Sequence, residues 1–199
     1  MSIITRAKNI LLTPATEWLV IESETETPQS LLGKYVIPMS LIPAVASFLR
    51  WGVISTNAVL IRSGGMGWGL SMALNVFITS IIGYYVSTYV IDALAPNFGS
   101  SKNLGKSAQL VAYANTAGWV VGIFDLIPGL SWLGILGLYG IYLFYLGLGP
   151  LKSTPEDKKA GYMIVCALVI IGVWIVVGWI ITTIIYAVIG NPFINSIGL

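Results

Sequence analysis

The sequence has no histidine and a single cysteine, Cys166, which stands inside the most apolar block of the chain. A disulfide within the chain is therefore impossible, and metal sites built from histidine and cysteine ligands are excluded. Because its sequence neighbours are apolar, we interpret Cys166 as a packing residue.

Charge is also scarce. Only 9% of the 199 residues are charged and 56% are hydrophobic, whereas a soluble domain carries about 25% charged residues. The net charge of +2 is small, and no run of lysine and arginine alternates with aromatic residues, so nucleic acid is not an expected partner. With a mean hydropathy of +0.87, the chain is predicted to be an integral membrane protein whose immediate partner is the lipid bilayer.

Groups that carry catalysis are missing as well. The sequence has no serine-centred nucleophile motif with a base partner and no phosphate-binding loop, and the glycine-rich segment 64–69 lacks the strand context of a nucleotide site. Intramembrane proteolysis would need paired aspartates, and Asp92 and Asp125 are predicted near opposite faces of the membrane. We therefore expect no enzymatic activity, no cofactor and no metal.

The apolar residues fall into blocks, and about 20 mostly apolar residues suffice for a transmembrane helix. The fold predicted is all-α, with five transmembrane helices preceded by short interfacial amphipathic helices. The first predicted span begins at residue 35 and ends at about residue 50 or one to two turns later. The second, third and fourth spans are predicted at 66–91, 107–126 and 132–148. The fifth begins at 154–157 and continues to 189.

The first 33 residues are predicted to form a cytoplasmic segment that lies on the membrane. Apolar residues from Ile3 to Leu11 recur at helical spacing, while Arg6 and Lys8 lie on the other side of the helix. We expect Arg6 and Lys8 to contact anionic lipid and Trp18 to lie at the membrane interface.

The basic residues predict the orientation. With the N-terminus in the cytoplasm, eight lysines and arginines lie on the cytoplasmic side and only Arg50 and Arg62 on the other, a strong positive-inside bias. Residues 34–190 then form a five-helix membrane domain, and residues 191–199 form an extracytoplasmic tail.

A candidate intramembrane polar site comprises five residues, because polar groups at membrane depth are costly and are paired or exposed to a cavity. These are Arg50, Asn75, Tyr113, Asn115 and Asp125. Arg50 and Asp125 are predicted at similar depth, where they form either a structural ion pair, two separate interface residues or part of a substrate site. Hydrogen bonds between helices would explain the uncharged members without transport.

Several segments resemble the bacterial branch of the Yip1-domain membrane proteins. Near the N-terminus they are Arg6, residues 12–18 (Leu-Thr-Pro-Ala-Thr-Glu-Trp) and residues 21–22 (Ile-Glu). Farther along they are residues 35–38 (Tyr-Val-Ile-Pro), residues 112–116 (Ala-Tyr-Ala-Asn-Thr) and residues 139–149, which end in Gly-Leu-Gly. The resemblance covers nearly the whole chain. It implies five transmembrane helices, a cytoplasmic N-terminus and residence in a bacterial cytoplasmic (inner) membrane.

The chain departs from the family pattern at two places. The eukaryotic Asp-Leu-Tyr/Trp-Gly-Pro motif before the first span is absent, and Gly33-Lys34-Tyr35 stands there instead. Ala117 occupies a position where bacterial relatives often have proline. The Rab GTPase and Golgi trafficking roles of eukaryotic members therefore do not carry over to this chain.

Two functions of different class follow. The first is a non-catalytic membrane organiser, a scaffold related to trafficking that binds lipid or a protein partner. The alternative is a small-solute or ion transporter or channel, for which an oligomer could build the pore. The glycines 118, 122, 134, 137 and 140 are expected to pack helices within one chain, with a homo-oligomer seam as the alternative.

Overall fold

The computed structural model describes residues 1–54 and 65–189, which contain helices and no strand. The chain opens with two short helices, α1 (Ile3–Leu12) and α2 (Pro14–Ser23). The Ser2 side chain caps α1 by accepting the Thr5 backbone N–H at 3.2 Å, and Pro14 stands at the first position of α2, where no backbone donor is needed. A sharp turn at Thr13 therefore folds the two helices into an antiparallel hairpin.

Two long helices follow. Helix α3 (Pro28–Ile54) contains π-helical turns at Leu32–Val36 and Arg50–Ile54, and it carries Pro43 in its interior. Helix α4 (Met66–Leu94) ends in a 3-10 turn at Ala95–Phe98. Arg62, predicted on the side of the membrane opposite the cytoplasm, lies outside the described residues. So do residues 191–199, predicted as the extracytoplasmic tail.

The next segment departs from the prediction of one continuous helix over 107–126. It consists of α5 (Leu104–Ala114), α6 (Thr116–Val121) and a 3-10 turn at Gly122–Leu126. The break lies at Asn115, whose side-chain amide donates to the Val111 carbonyl at 3.0 Å. Asparagine competes in this way with the backbone hydrogen bonds of a regular helix, which hydropathy alone does not reveal.

The last helices form a second long pair. A 3-10 segment at Ser131–Leu138 leads into α7 (Tyr139–Lys152), and α8 (Glu156–Ile189) follows after a short turn. Glu156 and Asp157 occupy the first turn of α8, where carboxylates interact favourably with the helix dipole.

Four helices of the described residues are long and apolar enough to cross a membrane: Pro28–Ile54, Met66–Phe98, Ser131–Lys152 and Glu156–Val188. Their outer surfaces carry large apolar side chains, such as Leu168 and Trp179 of α8, which are 66% and 72% exposed. A surface of this kind suits hydrocarbon rather than water.

The helices approach one another most closely at glycines. A Cβ on Gly69 would lie 2.5 Å from the Cα of Gly52, so α3 and α4 touch backbone to backbone. Gly140 lies against the Ala114 carbonyl, and Gly122 packs on Pro43. These glycines pack helices within the chain, whereas a Cβ on Gly118 or Gly134 would meet no described atom within 4 Å.

Candidate functional site

Arg50 and Asp125 meet at one end of the bundle, where α3 approaches the turn after α6. The Arg50 guanidinium forms an ion pair with the Asp125 carboxylate and also donates to the Asp125 backbone carbonyl at 3.2 Å and to Ser131 Oγ at 2.5 Å. Ser131 in turn donates to the carboxylate at 3.2 Å. The structure thus brings together the two charges that sequence analysis placed at similar depth, and their mutual contacts satisfy them as a structural pair would.

A second charged pair lies at the opposite end of the bundle and was not predicted. Lys152 is fully buried, and its ammonium contacts Asp92 at 3.2 Å and Ser107 Oγ at 2.7 Å. Ser107 also donates to Asp92 at 3.1 Å. This cluster ties together the ends of α4 and α7 and the start of α5.

The α1–α2 hairpin holds a third cluster in its interior. Arg6 is only 6% exposed and pairs with Glu17 at 2.5 Å and with Glu24, and Asn9 donates to Glu17 at 3.1 Å. The Arg6 guanidinium also lies over the Tyr113 ring, 5.3 Å from its centroid, a favourable cation–π geometry. The hairpin is thereby attached to α5.

The far end of α2 is fixed by side chains of α5. Lys106 donates to the carbonyls of Glu22 at 2.6 Å and Glu24 at 2.8 Å, and Gln109 donates to those of Ile21 at 3.3 Å and Glu24 at 3.2 Å. The carbonyls at a helix C-terminus have no partner inside the helix, and a cation there also interacts favourably with the helix dipole.

The linker after α2 is anchored in the same way. Glu26 contacts Lys34 at 3.3 Å, and hydrogen bonding from Ser30 and Lys34 lowers the pKa of its carboxyl group. A Cβ on Gly105 would lie 2.4 Å from the Glu26 carbonyl oxygen, so the linker backbone runs directly over the start of α5.

Two of the three residues predicted to contact the membrane surface are buried in the protein, and that prediction is wrong for them. Arg6 faces Glu17, and Trp18 is 1% exposed with its ring 6.4 Å from that of Tyr113. The hydrophobic residues of α1 supply the reason: Ile10 is completely buried against the bundle, so the helix turns Arg6 inward with it. Lys8 is exposed, and its contact with anionic lipid stays a prediction.

The five residues of the candidate intramembrane site do not converge on one point. Asn75 donates to Thr182 of α8 at 2.8 Å, Asn115 donates to its own helix, and the Tyr113 ring packs on Tyr35 with centroids 4.8 Å apart. Arg50 and Asp125 are occupied with each other. Four of the five side chains have a local polar partner and Tyr113 packs through its ring, which is the arrangement expected of helix packing.

A largely apolar cavity of about 340 Å³ lies between α4, α5, α6, α7 and α8. Apolar side chains such as Phe144 and Ile170 line most of it, and Gly118, Gly137 and Gly140 leave room on two sides. The exposed Asn115 at the helix break is one of its few polar lining residues. The volume falls within the range of about 300 to 1,000 Å³ that is usual for sites of small apolar ligands.

Sequence reasoning missed Asp92, Ser107, Lys152 and Glu17 as members of buried clusters. For Glu17 the sequence did contain a signal. Thr13 and Pro14 mark a turn between two helices, and Asn9 and Glu17 stand four residues before and four residues after Thr13. The Asp92–Lys152 contact had no such signal, because the two residues are far apart in sequence.

Long apolar helices with intramembrane ion pairs and lipid-suited outer faces define a helical integral membrane protein. A comparison with protein families adds the particular group: residues 8–178 match the Yip1 domain. The chain therefore belongs to the Yip1-domain family, which confirms the resemblance. No curated protein and no solved structure matches the chain.

Proposed function

We propose that this Yip1-domain protein is a non-catalytic membrane organiser that binds a phospholipid acyl chain in the cavity between α4, α7 and α8. The observation that carries the proposal is the lining of that cavity, which is apolar apart from a few groups such as Ser87 and Asn115. An acyl chain needs an apolar cavity with few polar groups, whereas an ion or a polar solute would need convergent ones.

The proposed topology has five crossings, with the N-terminus in the cytoplasm of a bacterial inner membrane. Two contacts support it. Arg50 meets Asp125 at one end of the bundle, and Asp92 meets Lys152 at the other. The chain must therefore traverse the bundle between Asp92 and Asp125, and residues 104–126 cover about 33 Å at the rise of an α-helix, enough for the hydrocarbon core of about 30 Å.

Transport is the alternative function, and the positions of the polar residues disfavour it. A solute pathway requires polar groups that line a common passage. Here Asn75 bonds to Thr182, the Tyr113 ring packs on Tyr35, and Arg50 pairs with Asp125, each at a separate helix contact. A protein partner or a second copy of the chain could also bind the organiser, and neither is required for the lipid site.

The test uses the purified protein in vesicles that contain a phospholipid with a photoactivatable acyl chain. Gly118→Leu should reduce crosslinking severalfold, because a side chain there enters open space beside the cavity. Gly172→Leu is the matched control, since a Cβ there also meets no described atom within 4 Å and Gly172 does not line the cavity; its crosslinking should stay unchanged.

Equal crosslinking of both variants and the unmodified protein would reject the cavity as a lipid site. The same vesicles test the alternative. Saturable flux of an ion or small solute that is lost in a folded Asp125→Asn variant would replace the organiser with a transporter.

A further inference from the structure

The α1–α2 hairpin runs alongside the membrane-spanning helices, and its contacts define how far it extends along them. The C-terminus of α2 is held by Lys106 through the Glu22 and Glu24 carbonyls. Halfway along α2, the Trp18 ring lies against Gly147 and beside Leu110: a Cβ on Gly147 would be 3.0 Å from the indole. At the end of α1, the Leu11 carbonyl accepts a hydrogen bond from Tyr139 at 3.0 Å.

These partners lie progressively farther from the end of the bundle that Lys106 and Lys152 mark. Leu110 is about 6 Å beyond Lys106 along α5, and Gly147 is about 8 Å from Lys152 along α7. Tyr139 is about 20 Å from Lys152, and α2, with ten residues, is itself about 15 Å long. Half of the hydrocarbon core is about 15 Å thick, so the turn of the hairpin lies near the middle of the bilayer.

The charges of the hairpin suit that depth. Arg6 is paired with Glu17 and Glu24 inside the hairpin, and an ionisable group within a membrane is normally paired in this way. Lys8 is the exposed cation of α1, and its long side chain can extend back to the headgroups.

The outward face of the hairpin carries large apolar side chains beside the exposed polar residues Thr5, Lys8 and Thr16. Ile4 and Leu12 of α1 are 78% and 69% exposed, and Leu19 of α2 is 58% exposed. The face adjoins the exposed surface of α7 at Tyr142, which is 51% exposed and whose ring lies 5.5 Å from that of Tyr139; α7 is part of a helix long and apolar enough to cross the membrane. Water cannot be its solvent at the depth of Tyr139, and hydrocarbon is already the solvent of the adjoining surface.

We propose that α1 and α2 form a re-entrant hairpin that enters one leaflet of the bilayer to about its middle, with Ile4, Leu12 and Leu19 in contact with phospholipid acyl chains. The surface helix expected from the sequence is replaced by an inserted one. This inference requires that α7 crosses the membrane and that the end of the bundle marked by Lys106 and Lys152 lies at the bilayer surface; it is independent of the cavity and of which side is the cytoplasm.

The test measures depth in the full-length protein in phosphatidylcholine vesicles. Leu12→Cys and Leu19→Cys, one on each helix, are labelled with a small fluorophore, and Cys166 is buried, so the unmodified chain serves as the labelling control. Thr25→Cys provides an exposed position in the linker, and Leu168→Cys provides an exposed apolar position on α8 that does not line the cavity.

Phospholipids brominated deep in the acyl chain should quench the Leu12 and Leu19 labels at least twofold more than the Thr25 label and about as strongly as the Leu168 label. Aqueous iodide should give the reverse order. Quenching like that of Thr25 would overturn the inference in favour of a surface helix. Resistance to both quenchers would also overturn it, because a protein partner or a second copy would then cover this face.

Discussion

Arg6 and Lys8 are two residues apart on one helix, yet their surroundings differ completely. Arg6 pairs with Glu17 in a buried cluster, whereas Lys8 is exposed and makes no ion pair among the described residues. In a count of the charged residues, Arg6 and Lys8 each contribute one positive charge and are not distinguished. The difference arises because the docking of Ile10 and Ala7 fixes the rotation of α1 about its axis, and the sequence pattern does not state which surface the apolar side meets.

The replacement Arg6→Ala should lower the free energy of unfolding by about 3 kcal/mol or more, because it leaves the Glu17 carboxylate buried without its partner. Lys8→Ala is the matched control on the same helix, and its effect should stay within about 0.5 kcal/mol. Denaturant unfolding in lipid-detergent micelles measures both. Equal effects of the two substitutions would contradict the buried pairing of Arg6.

For Arg50 and Asp125, we expect energetic coupling. Arg50→Ala and Asp125→Asn should each destabilise the protein, and the double variant should cost about 0.5 to 3 kcal/mol less than the sum. Arg50→Ala combined with Asp92→Asn is the control pair, since those residues lie at opposite ends of the bundle and their effects should add. Additivity in both cycles would show that the ion pair contributes nothing.

At the scale of elements, hydropathy predicts the long helices well and their interruptions poorly. The apolar blocks that predicted the first, second and fifth spans correspond to α3, α4 and α8, because twenty apolar residues in a row leave no other solution in lipid. The interruption at Asn115 is local: the Val111 carbonyl accepts both the Asn115 side-chain amide and the Asn115 backbone N–H, at 3.0 and 3.1 Å. The depth of the α1–α2 hairpin depends on contacts with Gly147 and Tyr139, which are distant in sequence.

The contact between α3 and α4 gives a prediction for a whole element. Gly69→Ala should destabilise the protein by about 1 to 3 kcal/mol, because its Cβ would lie 2.5 Å from Gly52 Cα and 2.8 Å from the Phe48 carbonyl, and such overpacking forces the backbones apart. Gly67→Ala is the matched control in the same helix: its Cβ meets no described atom within 4 Å.

Alanine is also the better helix former, so Gly67→Ala should leave the protein unchanged or slightly more stable. Thermal unfolding of the two variants in nanodiscs measures the difference. If Gly69→Ala were as stable as Gly67→Ala, the close approach of α3 and α4 would not be a feature of the folded protein.

For the whole molecule, the three charged clusters together explain how a chain with so few charges uses them. One lies at each end of the bundle, and the third joins the α1–α2 hairpin to it. The similar depth of Arg50 and Asp125 along their predicted spans left an ion pair, two separate interface residues and a substrate site open, and the folded chain forms the ion pair. The cluster in the hairpin had a sequence signal in the Thr13–Pro14 turn, whereas the Asp92–Lys152 pair had none, because its two residues are far apart in sequence.

The same two end clusters make the number of crossings testable. If residues 104–126 cross the membrane, the count is five, and the segment after α8 lies on the side opposite the N-terminus. If they did not, Asp92 and Asp125 would lie on one side, and the Arg50–Asp125 and Asp92–Lys152 pairs could not occupy opposite ends of the bundle.

A reporter that is active only in the cytoplasm should therefore be active before Met1 and inactive after Leu199. An insertion after Lys102, an exposed residue between α4 and α5, is the internal control and should be active, since the distribution of basic residues predicts that this loop is cytoplasmic. Activity at all three positions would mean an even number of crossings. The broken segment at Asn115 would then not traverse the bilayer, and the five-crossing topology would be wrong.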